Sequence, residues 1–295
     1  MMHHGLAEYS IVTPIHNELQ NVARLVENVR SFTIAPAKWL IVDDNSTDGS
    51  VELLQTLISD YPNACIVKYE GINTIGWLGY GNIVRFGIER LEEWERGTSQ
   101  LSALVAVVDS DVLLEGSYFE RLMISMNAEP NSALATGFIA EVKDNSLDEI
   151  IDDPRQRGAA ILYKKSFLNL IGGFPRCPSP DSAVVIKARN RGLKVMVVSD
   201  ARGIHLTKNP MGYNLIRHRN MGMSARINGL DIVSMMLIAA LFLIESGGKE
   251  ALEYAMVYLR TGIQPYAPIR DSEIVEFYHS SWIRFLRQFV SKIPK

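Results

Sequence analysis

The chain has 295 residues, of which 47% are hydrophobic and 21% are charged, as in an ordinary globular protein. Its formal net charge of -3 provides no general basic field, so the composition offers no case for a nucleic-acid partner. Cys65 and Cys177 stand far apart and match neither a disulfide framework nor a metal-binding spacing. We therefore expect a reducing, cytoplasmic setting.

Membrane-directed segments are not expected from the apolar pattern. Residues 1–5 (MMHHG) run directly into a strand pattern, without the apolar stretch of a secretory leader. The longest apolar run, residues 232–244, contains 13 residues, whereas a helix that crosses a bilayer needs about 20. This run is therefore interpreted as a buried core helix or a dimer interface.

Short β-branched runs alternate with helical spacings along the first half of the chain. Strands are expected at residues 10–12, 40–42, 64–67 and 104–108, with helical spacings at residues 25–29, 51–58 and 83–91. This alternation predicts an α/β fold, with a mainly parallel sheet flanked by helices.

The second half of the chain is more mixed. Strands are expected at residues 134–140, 159–163 and 194–198, with a helix at 183–191 and mostly helical patterns afterwards. We predict one α/β domain over residues 1–225 and a helical C-terminal appendage over residues 226–295. Within the domain, a first half covers about residues 8–115 and a second half about residues 116–225.

Polar side chains directly follow three of the predicted strands. They occupy residues 14–18 (PIHNE), 43–48 (DDNSTD) and 109–111 (DSD). Each cluster alone is typical of a turn. Ligands of open parallel sheets, however, bind beyond the carboxyl ends of the strands, so three clusters at one edge predict a ligand site.

The third cluster has a specific chemical interpretation. Asp109 and Asp111 are separated by one residue, and two such carboxylates can share a hard divalent cation that also holds phosphate oxygens. If a diphosphate leaves during the reaction, the cation neutralises the charge that develops on it.

These clusters together resemble the family 2 glycosyltransferases of GT-A fold. The resemblance is carried by residues 10–18 (SIVTPIHNE), 41–50 (IVDDNSTDGS) and 108–111 (VDSD), and residues 171–175 (IGGFP) are similar to the Gly-Gly-Phe segment of the family. It covers about residues 9–205. It implies that residues 1–225 form the glycosyltransferase domain, with a nucleotide-binding half at about 8–115 and an acceptor half at about 116–225. It implies an inverting transfer of a sugar from UDP or another nucleoside diphosphate to an acceptor hydroxyl, with Mn²⁺ or Mg²⁺.

The resemblance also implies roles for individual residues. Contacts with the nucleotide are assigned to Pro14, His16, Asn17, Glu18, Asp43, Asp44, Gly81 and Asp109. Asp111 becomes the direct metal ligand, with Asp109 beside it and His205 as an additional ligand; a structural role is the alternative for His205. Arg217 and Arg219 lie in a basic cluster that could close over the diphosphate as a lid, or form a solvated face.

Two positions depart from the family pattern. His16 stands where the family usually has an aromatic residue, which weakens the expected stacking on the base. Of the Glu-Asp pair that normally follows the Gly-Gly-Phe segment, only Asp181 is present. Asp181 is the candidate base that takes a proton from the acceptor hydroxyl. Its other role, capping the following helix, is compatible with that function.

The C-terminal residues and the competing functions leave alternatives open. Apolar residues recur at helical spacing over 282–293, with basic residues between them, which suits either packing against a second subunit or a peripheral contact with the inner face of a membrane.

The acceptor could be a glycan, a lipid or a protein. The glycine-rich loops of pyrophosphorylases and dinucleotide-dependent oxidoreductases are absent after the first strand. A non-catalytic sugar-nucleotide-binding protein remains the alternative function.

Overall fold

The computed structural model describes residues 5–71, 79–142, 150–151, 159–206, 213–263 and 271–279. Its strands are β1 Tyr9–Ile15, β2 Trp39–Asp43, β3 Ala64–Lys68, β4 Leu104–Val108, β5 Val112–Leu114, β6 Ser132–Val142, β7 Ile150–Ile151, β8 Ala160–Lys164 and β9 Lys194–His205. Its helices are α1 Val22–Arg30, α2 Ser50–Leu57, α3 Tyr80–Thr98, α4 Tyr118–Ala128, α5 Lys165–Leu170, α6 Pro180–Asn190, α7 Tyr213–Ile227, α8 Ile232–Glu245, α9 Gly248–Thr261 and α10 Ser272–His279.

The described strands form one nine-stranded sheet in the order β3-β2-β1-β4-β8-β6-β9-β5, with β7 paired to β6. The first four strands in this order are mutually parallel. Beyond β4 the sheet is mixed, because β8 is antiparallel to both of its neighbours and β9 is parallel to β6. The predicted α/β fold is confirmed, and its four neighbouring parallel strands all lie between Tyr9 and Val108.

The central strands are buried on both faces, as their continuous apolar runs predict. All five residues of β2 and of β4 are buried. Helix α3 packs directly on this sheet at Gly87, where a Cβ atom would lie 2.6 Å from Val12 Cγ1 and 2.7 Å from Val42 Cγ2. The backbone of α3 can therefore approach the strands only where the side chain is absent.

A buried polar cluster lies near the start of β1. The Lys165 ammonium forms an ion pair with the Glu95 carboxylate, which also accepts a hydrogen bond from the Ser10 hydroxyl at 2.8 Å. Ser102 Oγ accepts a 3.0 Å hydrogen bond from Lys165 Nζ and donates to Glu95. Each charge is thus compensated by groups that the fold itself supplies.

Removing one charge of this cluster should destabilise the protein strongly. We expect Lys165→Met to lower the free energy of unfolding by about 3–5 kcal/mol, because the Glu95 carboxylate would stay buried without its cation. Urea denaturation measures this change. Lys194→Met, which removes an exposed ion pair with Glu129, is the matched control and should have little effect. Equal effects of the two substitutions would contradict a structural role for the buried pair.

The chain divides into two compact units. The first consists of Met1–Arg176 and Ala188–Lys208, and the second of Cys177–Lys187 and Asn209–Lys295. In the second unit α7 packs closely on α9 at Gly222. A Cβ at this position would lie 2.3 Å from the Tyr254 carbonyl oxygen, so only glycine allows this approach. The functional boundary at residue 225 stays a prediction.

Helix α8 contains the apolar run noted in the sequence. Asp231 caps it by accepting a 2.8 Å hydrogen bond from Ser234 N. Met235 is buried, whereas several apolar side chains are exposed: Ile232, Val233, Met236, Leu243 and Ile244. In the described part of the chain, every helix falls short of the length and apolar character needed to cross a bilayer. The predicted amphipathic stripe at 282–293 lies outside the described residues.

Candidate functional site

The loops that follow β1 and β2 are joined by hydrogen bonds. Strands β1 and β2 are paired up to Ile15 and Asp43, so both loops leave the sheet at the same edge. Asn17 is central to the connection: its N–H donates to Ser46 Oγ at 3.0 Å, and its Oδ1 accepts from Thr47 N at 2.8 Å. Asn17 adopts a φ of 56°, a left-handed conformation that asparagine tolerates better than most residues.

The same two loops place His16, Asp43 and Asp44 next to each other. His16 Nδ1 lies 2.6 Å from the Asp44 carbonyl oxygen, which restrains the imidazole at the sheet edge. Asp43 is 5% exposed, and its Oδ1 accepts a 2.9 Å hydrogen bond from Ser46 N. Pro14 lies within β1, opposite Val42 of β2. Predicted nucleotide-binding residues from two separate motifs are thus held in one rigid loop pair.

Glu18 connects the first loop to the motif that follows β4. Its backbone N–H donates to Ser50 Oγ at 2.8 Å, and its Oε2 accepts from Asn21 Nδ2 at 2.7 Å. Burial raises the pKa of Glu18, and the neighbouring carboxylate of Asp111 raises it further, whereas hydrogen bonds from Asn21 and Ser110 lower it. The carboxylates of Glu18 and Asp111 therefore lie close enough to repel each other.

Asp111 lies beside His205 because β5 pairs with the end of β9. Val112 is opposite His205 in this antiparallel ladder, and Leu206 N donates to the Asp111 carbonyl oxygen at 2.7 Å. His205 Nε2 lies 3.4 Å from Asp111 Oδ1. The two residues are far apart in sequence, and the sheet brings them together as the predicted metal ligands.

Asp109 has a different neighbour. Its Oδ1 accepts a 2.7 Å hydrogen bond from the hydroxyl of Tyr80, the first residue of α3. The buried Gly81 follows directly, so the predicted glycine-containing helix start lies next to the third cluster. Tyr80 was not predicted as a site residue; its position immediately before Gly81 was the available signal.

The Asp111–His205 pair suits a cation that is shared with a ligand. Metal–ligand bonds of about 2.1 Å at right angles place neighbouring ligand atoms about 3 Å apart, close to the observed 3.4 Å. Among the described residues, no group of three or more His, Cys, Asp and Glu side chains could hold an ion by itself. Mg²⁺ is typically bound by one or two carboxylates together with substrate phosphates, so the Asp111 carboxylate fits a cation whose coordination a diphosphate completes.

The remaining predicted residues belong to the second unit. Asp181 lies in the first turn of α6 and is partly buried. Arg217 and Arg219 are exposed on α7. Their roles stay predictions.

Neutralising Glu18 should stabilise the protein at neutral pH. A raised pKa means that the ionised carboxylate costs stability once the pH exceeds the usual value of 4.5, and that this cost disappears below it. We therefore expect Glu18→Gln to raise the melting temperature at pH 7 and to leave it unchanged near pH 4. Thermal unfolding of both proteins across this pH range checks the sign. A lower melting temperature at pH 7 would contradict a net cost of keeping the Glu18 carboxylate ionised in its buried position beside Asp111.

The fold is shared with solved glycosyltransferase structures of the GT-A fold. The mannosyltransferase PcManGT from Pyrobaculum calidifontis, in complex with GDP-Man and Mn²⁺, matches with a TM-score of 0.57 and 12% identity, over 98% of this chain and 82% of that one. GalNAc-T7 with UDP, GalNAc and Mn²⁺ matches with a TM-score of 0.64 and 13% identity, over 99% of this chain and 59% of the other. TarS 1-349 of S. aureus, in complex with UDP, matches with a TM-score of 0.54 and 15% identity, over 97% and 75%.

The family follows from the sequence itself. The family model described as Glycosyl transferase family 2 matches residues 10–174, more than half of the chain. The protein belongs to this glycosyltransferase family. No curated protein matches the sequence.

Proposed function

We propose that the protein transfers a sugar from a nucleoside diphosphate to an acceptor hydroxyl, with inversion at the anomeric carbon. The observation that carries this proposal is the convergence of Glu18, Asp111 and His205 at the carboxyl edge of the sheet. Acidic side chains that repel one another at this edge would be stabilised by a bound cation, which could in turn attract the phosphate groups of a donor. The solved neighbours with GDP-Man, UDP or UDP-GlcNAc support a sugar-nucleotide donor.

The donor contacts are proposed for the loops that follow β1 and β2. Asp43 and Asp44 would accept hydrogen bonds from the base, while His16 stacks on it more weakly than a tyrosine would. Because Asn17 and Ser46 fix the two loops against each other, little conformational entropy is lost when the base binds. The donor could be a UDP-sugar or another nucleotide sugar.

Asp111 and His205 would hold Mn²⁺ or Mg²⁺ against the diphosphate, with Asp109 beside them. When bound, the cation stabilises the negative charge that develops on the leaving diphosphate. The exposed guanidinium groups of Arg217 and Arg219 are proposed to contact the same diphosphate as a lid.

Asp181 is proposed as the base of a single displacement. Its carboxylate takes the proton of the acceptor hydroxyl while that oxygen forms a bond to the anomeric carbon. The bond between the anomeric carbon and the diphosphate oxygen breaks at the same time, and its electron pair leaves with the diphosphate. Attack from the face opposite the leaving group inverts the configuration.

A thermal-shift screen followed by turnover tests the proposal. UDP-N-acetylglucosamine, UDP-glucose and GDP-mannose are each added with Mn²⁺ or Mg²⁺, since a ligand that binds the folded state raises its melting temperature. We expect one donor to give a metal-dependent shift and to be slowly hydrolysed, with release of nucleoside diphosphate. A metal-dependent shift without hydrolysis or transfer to any acceptor would favour the alternative, a non-catalytic sugar-nucleotide-binding protein.

The acceptor class and the assembly are further parts of the proposal. A glycan, lipid or protein hydroxyl each satisfies the chemistry, so the proposal includes a role in polysaccharide or glycoconjugate synthesis. The homodimer and the peripheral membrane contact remain predictions, and the exposed apolar side chains of α8 offer a surface on which to test them. If either contact uses this surface, Met236→Lys should reduce dimerisation or co-sedimentation with anionic liposomes.

A further inference from the structure

Lys187 is a buried cation held by two acidic side chains from another part of the second unit. Its side chain is 7% exposed, and its Nζ lies 2.7 Å from Asp271 Oδ2 and 3.4 Å from Glu273 Oε1. Asp271 immediately precedes α10 and accepts a long, 3.4 Å hydrogen bond from Ile274 N through its other oxygen. The same carboxylate thus contacts both Lys187 and the start of α10.

Two further contacts connect the segment that carries Asp181 to the C-terminal helices. Asn228, which directly follows α7, donates a buried 3.2 Å hydrogen bond to the carbonyl oxygen of Pro178. Ile274 of α10 is 1% exposed and packs in one apolar cluster with Cys177 and Ala183. Residues 177–187 are therefore held at their beginning by α7 and α10, and at Lys187 by the acidic pair.

The charges in this region act on one another. Burial raises the pKa of the Cys177 thiol to about 12, with further upward contributions from Asp271 and Asp181 and a downward one from Lys187. Both carboxylates consequently lie near the same thiol. Lys187 supplies the positive charge that offsets their repulsion.

We propose that Lys187 is a positioning residue, which holds α6 through Asp271 and Glu273 so that the Asp181 carboxylate keeps the orientation needed to take the acceptor proton. This inference rests on the proposed function, because it takes Asp181 as the base. It also gives residues 271–279 a role in the reaction that an independent appendage would not have. Ion pairs suit this role because their hydrogen bonds are directional, whereas apolar contacts alone allow α6 to slide or rotate.

The experiment separates an effect on turnover from an effect on donor binding. Three variants are compared with the wild type: Lys187→Met, Lys187→Arg and Asp271→Asn. The kcat is measured with whichever of the three nucleotide sugars gives the largest thermal shift, and the Kd is measured with Mn²⁺ for UDP, or for GDP if that donor is GDP-mannose. We expect Lys187→Met to lower kcat about 10- to 100-fold, since small displacements of a reacting group cost this much, with the Kd unchanged. Lys187→Arg retains the charge and should recover most of the kcat.

Asp271→Asn and Lys249→Met complete the set. Asp271 is 31% exposed and Asn can still accept from Ile274 N, so this variant should fold even where Lys187→Met does not, and its kcat should fall in the same direction. Lys249 is exposed on α9, and its replacement should leave kcat unchanged.

The outcomes distinguish this inference from the function on which it rests. An active wild type whose kcat is unaffected by Asp271→Asn and by any folded Lys187→Met would overturn the positioning role alone. A fall in kcat matched by an equal loss of UDP affinity would also overturn it, because that result indicates a general structural role. A wild type that binds UDP with Mn²⁺ but turns over no donor would overturn the proposed function and this inference with it.

Discussion

Asp111→Asn should abolish the metal-dependent part of donor binding and lower turnover by about 10³-fold, or roughly 4 kcal/mol in the activation free energy. The substitution preserves the shape of the side chain but removes the charge that faces His205 at 3.4 Å. Without that charge the Glu18 carboxylate loses a repelling neighbour, so we expect the ligand-free protein to remain folded. Titration of UDP with and without Mn²⁺, together with donor turnover, measures both effects.

Two other variants make this result specific. Asp200→Asn neutralises an exposed carboxylate of β9, the strand that also carries His205, and should leave donor binding unchanged. His205→Ala should have a smaller effect than Asp111→Asn, because it removes a neutral ligand and leaves the anionic one. If Asp111→Asn bound UDP as the wild type does, both with Mn²⁺ and with EDTA, the metal assignment would be wrong.

The strand-end clusters were predictable because their signals are local. The apolar runs of β1, β2 and β4 are long enough to be recognised, and the polar residues follow them directly. Parallel pairing then requires that the clusters meet at one edge. The structure confirms this arrangement, down to the hydrogen bonds between the loops of Asn17 and Ser46.

The neighbour of Asp111 could not be derived in the same way. Strand β5 has only three residues, too few to show a period, and it was not predicted. Strand β9 was predicted over 194–198 but continues to His205, because it follows β6 through a register shift at Gly137 and Phe138. A shift of this kind depends on long-range pairing, so residues 199–205 look like a loop when they are read alone. Only the family resemblance predicted His205 as an additional metal ligand.

Helix α4 was not predicted, although its sequence carries a helical pattern. Its buried residues recur at helical spacing, so the signal was present: Tyr118, Phe119, Leu122, Met123 and Met126. The Tyr118 hydroxyl donates to the Ala160 carbonyl oxygen at 2.8 Å and accepts from Gly137 N at the same distance.

The ion pairs of Lys187 could not be predicted at all, because residues so distant in sequence meet only through the packing of α6 and α10.

The second large effect concerns Asp181. A catalytic role and a purely structural role of this residue predict opposite effects of its replacement on the rate of transfer. The structure places Asp181 inside the first turn of α6, which begins at Pro180, rather than at the N-cap position that the sequence offered. A carboxylate there stabilises the helix through the helix dipole by only about 0.3–1 kcal/mol, so asparagine or serine should change the stability little. A base must instead accept a proton from the acceptor, which neither replacement can do at neutral pH. The variants Asp181→Asn and Asp181→Ser therefore separate a structural role from catalysis.

We expect both variants to keep the melting temperature of the wild type and its affinity for UDP with Mn²⁺, and to lower transfer by about 10²- to 10⁴-fold, the usual contribution of a general base. Single-turnover measurement with saturating donor isolates the chemical step, and the configuration of the product reports inversion. Ser182→Ala, at the exposed position that follows in the same helical turn, serves as the control and should be fully active. Wild-type rates in Asp181→Asn would remove Asp181 from the reaction. Because the Lys187 inference depends on this assignment, such a result would leave the ion pairs with Asp271 and Glu273 with a purely structural role.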